Sequence, residues 1–171
     1  MTYRITTVCL GNICRSPMAE AVLRARINDA GLADHVVVSS AGTDGWHVGE
    51  DADPRALATL REAGYDLDHR GRQFLGDWHD PSHPDYGDLV LAMDSRNYAT
   101  LIGMAYVPVH HRVRMMRSFD PALAVIPDGD PRLDVPDPWY GGIDDFIEVL
   151  GMLERASDGL VARLPDLMAQ H

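Results

Sequence analysis

Lysine is absent: all 15 basic residues of the 171-residue chain are arginine, set against 26 acidic ones. A Walker-type phosphate lysine, Schiff-base chemistry and a lysine general base are therefore excluded, since each needs an amine on a flexible stem. Cationic chemistry falls to guanidinium groups, although a GC-rich genome would by itself explain arginine in place of lysine. The net charge of −11 offers no basic face to nucleic acid and no attraction to anionic lipid, so an anionic ligand has to be held in a local pocket. No apolar run approaches the roughly 20 residues of a membrane span. The opening MTYRITTVCL lacks the charged and long apolar regions of a signal peptide. A cytoplasmic protein, monomeric or weakly dimeric, is the expectation. Cysteine occurs only at positions 9 and 14, too few for a disulfide scaffold or a four-cysteine zinc site. On count alone both read as small buried hydrophobes.

What is present suffices for an ordinary core, with 46 % hydrophobic and 24 % charged residues and no second composition regime, so residues 1–171 read as one domain. Tyr3 to Val8 is β-branched and aromatic and predicts a strand. Pro17 to about Ala30 keeps helical spacing and ends before Gly31. Val36 to Ser40 predicts a short strand of the kind buried on both faces of a parallel sheet. After a loop from Ala41 to Asp53, Pro54 opens a helix that closes at Gly64. Residues 76–87, GDWHDPSHPDYG, read as a solvated surface loop. Leu89 to Ala92 is a third strand, Ser95 a candidate cap for a helix to about Met104, and Val113 to Met116 a fourth strand. From Gly142 onward the apolar spacing predicts a long packing helix. Strand and helix in alternation imply an α/β fold, a four-stranded parallel sheet with helices on both faces. Ligands of such sheets bind beyond the carboxyl ends of the strands, where CLGNICRS leaves the first strand.

In that segment Cys9 and Arg15 are separated by five residues and Ser16 follows the arginine, a pattern composition alone produces about 0.013 times per such chain. A loop of this kind can turn successive backbone N–H groups inward as an anion nest, with about half a positive charge added by the following helix. A thiol at its head feels those dipoles and the guanidinium, which favour thiolate. Arg15 can grip two phosphoryl oxygens. Ser16 can donate to sulfur, and Asn12 tolerates a left-handed backbone angle. The missing proton donor is best sought in DVPDPWYGG, where prolines stiffen the backbone around Asp137, and Trp139 and Tyr140 can exclude water from it. A flanked aspartate of this kind also suits a plain turn.

Together CLGNICRSP, SSAGT (39–43), HRGRQ (69–73), LAMD (91–94), RSFDP (117–121) and DVPDPWYGG (134–142) closely resemble the low molecular weight protein tyrosine phosphatases over nearly the whole chain. The resemblance implies that Cys9 is the nucleophile of a phosphocysteine intermediate, Arg15 the phosphate-binding arginine and Asp137 the general acid and base. The loop Leu10, Gly11, Asn12, Ile13, Cys14 would bind the phosphoryl group, and Ser16 would stabilise the thiolate. Asn12, Ser40 and His69 would hold the loop in shape, while Trp46, Trp139 and Tyr140 would wall an aryl ring. No metal or cofactor enters this mechanism, and tyrosine-phosphorylated proteins or peptides are the implied partners. Members resembling protein-arginine phosphatases carry threonine at the position of Ile13, so the isoleucine favours phosphotyrosine over phosphoarginine. Cys14 matches a second loop cysteine able to form a protective disulfide with the nucleophile, against the plainer reading of a buried side chain.

The chain departs from the family pattern at residues 76–87, where His79 and His83 have the spacing of helical zinc ligands. Pro81 and Pro84 argue against the helix that would align them. His110 and His111 read as surface or structural residues. Rival readings are a phosphoarginine phosphatase of the same fold, an arsenate reductase, which would relay oxidation through further cysteines, and a non-catalytic phosphopeptide-binding module.

Overall fold

A computed structural model describes residues 1–171. Its sheet has the order β2-β1-β3-β4, with every pairing parallel. The strands are β1 (Tyr3–Cys9), β2 (Val36–Gly42), β3 (Leu89–Ala92) and β4 (Val113–Met115); the helices are α1 (Arg15–Asp29), α2 (Pro54–Glu62), α3 (Ser95–Gly103) and α4 (Ile143–Ala169). Because side chains alternate across a strand, the central pair feeds two cores. Ile5, Leu89 and Leu91 pack under α1, α2 and α4, whereas Val8, Val90 and Ala92 pack with Phe74, Trp78 and Leu101 on the α3 side.

Three expectations are corrected. β2 is an edge strand, not one buried on both faces: Val37 is 52 % exposed, because the α1 side alone covers that end of the sheet. The cap of α3 is Asp94 rather than Ser95, its Oδ1 accepting from the Asn97 N–H at 2.7 Å. A carboxylate is a strong acceptor for a first-turn N–H.

Residues 76–87 are also less solvated than expected. Gly76–His79 form a 3₁₀ turn that buries Trp78 and His79 against Phe74. His79 Nε2 donates to the Leu101 carbonyl at 2.9 Å, and Arg112 Nη2 donates to His79 Nδ1 at 3.1 Å, so both ring nitrogens are engaged and the ring is held neutral. Burial, reinforced by the Arg112 charge, lowers its pKa below the usual 6.5. Below that value the unfolded chain binds a proton that the folded chain refuses, so stability falls as pH falls. The unfolding midpoint should therefore decrease from pH 7 to pH 5, with a shallower decline in His79→Gln; an identical slope in the variant would contradict this assignment.

The carboxyl ends of β1, β2 and β3 meet on one edge. Cys9 pairs with Gly42, and Val8 accepts from the Met93 N–H at 2.9 Å. A Cβ on Gly42 would stand 2.6 Å from the Leu10 carbonyl oxygen, so glycine permits the loop after β1 to lie directly on β2.

Candidate active site

Between β1 and α1 the chain Cys9–Arg15 curls around the helix start. No side chain caps α1 and its first turn carries no acid, which leaves that N-terminus open to an anion. Asn12 turns the loop with φ of +57°, a strained angle for a residue with a side chain. Its own bonds hold it there. Asn12 Nδ2 donates to Ser16 Oγ at 2.9 Å and to Ser40 Oγ at 3.0 Å, and Oδ1 accepts from the Arg72 N–H at 2.9 Å. The Asn12 carbonyl accepts from His69 Nε2 at 2.6 Å. Ser40 Oγ donates on to the buried Glu20 at 2.6 Å. Ser40 and His69 thus both reach Asn12, the serine at its side chain and the histidine at its carbonyl.

Cys9 Sγ lies 3.0 Å from Ser16 Oγ and accepts from the Asn12 N–H at 3.3 Å. The serine hydroxyl has a second acceptor in reach, the Ala41 carbonyl at 3.3 Å, so its single proton serves whichever oxygen or sulfur is the more basic, and a thiolate wins. Both cysteines are free and buried. Burial above all, with Asp53, Cys9 and Asp137 adding to it, pushes the Cys14 thiol well above its ordinary range. Cys14 is thereby held protonated beside a sulfur that is supplied with donors.

Arg15 is buried and oriented from behind. One edge of its guanidinium is consumed, Nη1 donating to Asp94 Oδ2 at 2.6 Å and to the Val135 carbonyl at 3.0 Å. Nη2 faces Asp137 Oδ2 at 3.5 Å. Burial opposes its charge, but Cys9, Asp94 and Asp137 outweigh that cost and raise its pKa further. Nε has no protein partner and Nη2 only the longer contact with Asp137, so these two nitrogens remain for a forked grip on two phosphoryl oxygens.

These groups share a cavity of about 170 Å³ lined by Cys9, Leu10, Gly11, Ile13, Cys14, Arg15, His47, Asp137, Trp139 and Tyr140. Two expectations need amendment. Trp46 is 81 % exposed and does not line the cavity; its neighbour His47, held by Glu50 at 2.6 Å, does. The Asp137 side chain is 34 % exposed beside Trp139 and Tyr140, themselves 48 % and 85 % exposed, so the aromatics flank it without sealing it from water. Their rings meet edge to face at 4.9 Å.

Sequence reasoning passed over Asp94, which caps α3 with one oxygen and holds Arg15 with the other. The signal was available in LAMD, an apolar strand delivering an acid to the edge where ligands bind. His47 and the pair Asp53–Arg55 carry no comparable motif.

The sequence profile of the low molecular weight phosphotyrosine protein phosphatases matches residues 4–169. The chain belongs to that family. It is 53 % identical over 165 residues to a low molecular weight protein-tyrosine-phosphatase of Streptomyces coelicolor, covering 95 % of this chain and 93 % of that one. It is 47 % identical over 156 residues to low molecular weight protein-tyrosine phosphatase A of Mycobacterium tuberculosis, covering 91 % and 88 %. Among solved structures, a protein tyrosine phosphatase from Entamoeba histolytica with Hepes in its active site superposes with a TM-score of 0.83 at 32 % identity, over 96 % of this chain and 98 % of that one. The family's α/β architecture is thus the one found here, a single parallel sheet clothed on both faces. No helix is long and apolar enough to cross a membrane.

Proposed function

We propose that this family member hydrolyses phosphotyrosine in proteins or peptides through a phosphocysteine intermediate, with Asp137 as general acid and base. The carrying observation is that Cys9, Arg15 and Asp137 line one small cavity, with the Ser16 hydroxyl and the Asn12 N–H at the sulfur and Arg15 Nη2 at 3.5 Å from Asp137.

In the first step the Cys9 thiolate attacks phosphorus and the bond from phosphorus to the phenolic oxygen breaks. Backbone N–H groups of residues 10–15 and the free edge of Arg15 hold the three equatorial oxygens as their charge redistributes. Asp137, on the rim at 3.5 Å from Arg15, gives its proton to the departing phenolate. In the second step Asp137 takes a proton from water, the water oxygen attacks phosphorus, and the sulfur departs as thiolate toward the Ser16 hydroxyl at 3.0 Å. Inorganic phosphate is released and the thiolate is regenerated.

Substrate class follows from the walls. Leu10, Ile13, Trp139 and Tyr140 present apolar and aromatic surface to whatever stands on the phosphorus, which suits a flat aryl ring. Phosphotyrosine, phosphoserine and phosphoarginine versions of one peptide, compared by kcat/KM, should rank the phosphotyrosine peptide first. Preference for the phosphoarginine peptide would overturn the reading of Ile13. Equal, tight binding of the phosphotyrosine peptide without turnover would mark a binding module.

A further inference from the structure

The loop that carries Asp137 is tied to the phosphate loop by a chain of hydrogen bonds through one pair of side chains. Asp53 donates its backbone N–H to the Ile13 carbonyl at 2.8 Å, and its carboxylate caps α2 by accepting from the Arg55 N–H at 2.8 Å. The same carboxylate holds the Arg55 guanidinium, accepting from Nε at 3.1 Å and from Nη2 at 2.9 Å. Arg55 then reaches across to the acid loop, Nη2 donating to the Trp139 carbonyl at 3.1 Å and Nη1 to the Gly141 carbonyl at 2.8 Å. The guanidinium rests 4.7 Å above the ring of the buried Phe146, in the first turns of α4.

The Trp139 residue is consequently gripped at both ends. Its N–H donates to Asp137 Oδ1 at 3.1 Å, which leaves Oδ2 directed at Arg15, and its carbonyl is the one Arg55 holds. A planar, forked donor is suited to such bracing, because one guanidinium serves a carboxylate and two carbonyls in fixed directions, which a single ammonium cannot do. We propose that Arg55, set by Asp53, is a positioning residue for proton transfer: it fixes Asp137 in register with Cys9 and Arg15 while touching neither phosphate nor aryl ring. This rests on the reading of Asp137 as the general acid.

Leaving-group dependence separates such a role from general structural support, because only the protonation step is sensitive to how basic the departing oxygen is. The experiment compares phenyl phosphate, whose leaving group needs the proton, with p-nitrophenyl phosphate, whose leaving group needs it less, in Arg55→Gln, Arg55→Lys, Asp137→Asn and the Arg55→Gln/Asp137→Asn double variant. Arg55→Gln should lower kcat/KM, which reports on the first step alone, about 10-fold or more for phenyl phosphate and about 3-fold or less for the nitrophenyl ester, with inhibition by vanadate unchanged. Arg55→Lys should fall between it and the parent, and it carries the test if Arg55→Gln does not fold. The double variant should be no slower than Asp137→Asn, since a misplaced asparagine has no proton to lose.

Equal losses on both esters, weakened vanadate inhibition, or additive losses in the double variant would overturn the positioning role while leaving the acid in place. If Asp137→Asn itself slows both esters equally, the acid assignment fails, and the role of Arg55 fails with it.

Discussion

Cys9→Ser is expected to lose at least about 10⁴-fold in kcat on any aryl phosphate, because a serine hydroxyl offers neither the anion nor the nucleophilicity of a thiolate. The arrangement around position 9 explains why the loss should be confined to chemistry. Ser16 Oγ and the Asn12 N–H, the two donors aimed at Sγ, can equally serve an oxygen, and the loop is shaped by Asn12, Ser40 and His69 rather than by the sulfur. Binding of inorganic phosphate, followed by calorimetry, should persist in the variant. Turnover above about 1 % of the parent would contradict the assignment of the nucleophile. The parent's activity should be unaffected by a chelator, since the proposed steps use side chains and water alone.

Asp137→Asn is the second large effect. Asparagine preserves the hydrogen bond from the Trp139 N–H and the local turn, so the loop should keep its shape while losing the proton. General acid catalysis contributes about 10²- to 10⁴-fold, and that range is the expected loss in kcat/KM, which reports on the first step alone, for phosphotyrosine. On an ester whose leaving group departs readily as an anion the loss should shrink to about 10-fold or less. Equal losses for good and poor leaving groups would remove Asp137 from the proton path.

Much of this architecture was legible in the residue order. Apolar β-branched runs located all four strands, and proline and glycine located the starts and stops of α1 and α2, because those signals are local. Which strands lie at the edge was not legible, since Val36–Gly42 is as apolar as a central strand, and its exposure at Val37 depends on where the helices settle. His79 shows the same limit. Its neighbours Asp77, Asp80 and Pro81 suggest solvent, yet Leu101 and Arg112, distant in sequence, supply the partners that bury it.

At the site, contiguous motifs named most of the cavity, because the phosphate loop is a single uninterrupted segment and its supports fall in short recognisable strings. Trp46 failed as a wall because one position decides whether a loop side chain faces in or out, and His47 takes the inward place. The links from Asp94 to Arg15, and from Asp53 through Arg55 to the Trp139 carbonyl, join residues more than seventy positions apart. No spacing rule reports such pairs. The proposed site also reconciles an anionic substrate with a net charge of −11: backbone N–H groups and one buried arginine, braced by Asp94 and the Val135 carbonyl, would confine the positive potential to one loop.

The central claim, that Cys9 takes the phosphoryl group from substrate, is tested most directly by trapping the intermediate. Enzyme mixed with excess phosphotyrosine peptide and quenched during turnover should, after digestion and mass spectrometry, carry one phosphoryl group on the peptide containing Cys9, and the fragment ions should place it on that sulfur. A phosphoryl group on Ser16, His47 or any residue other than Cys9 would contradict the account.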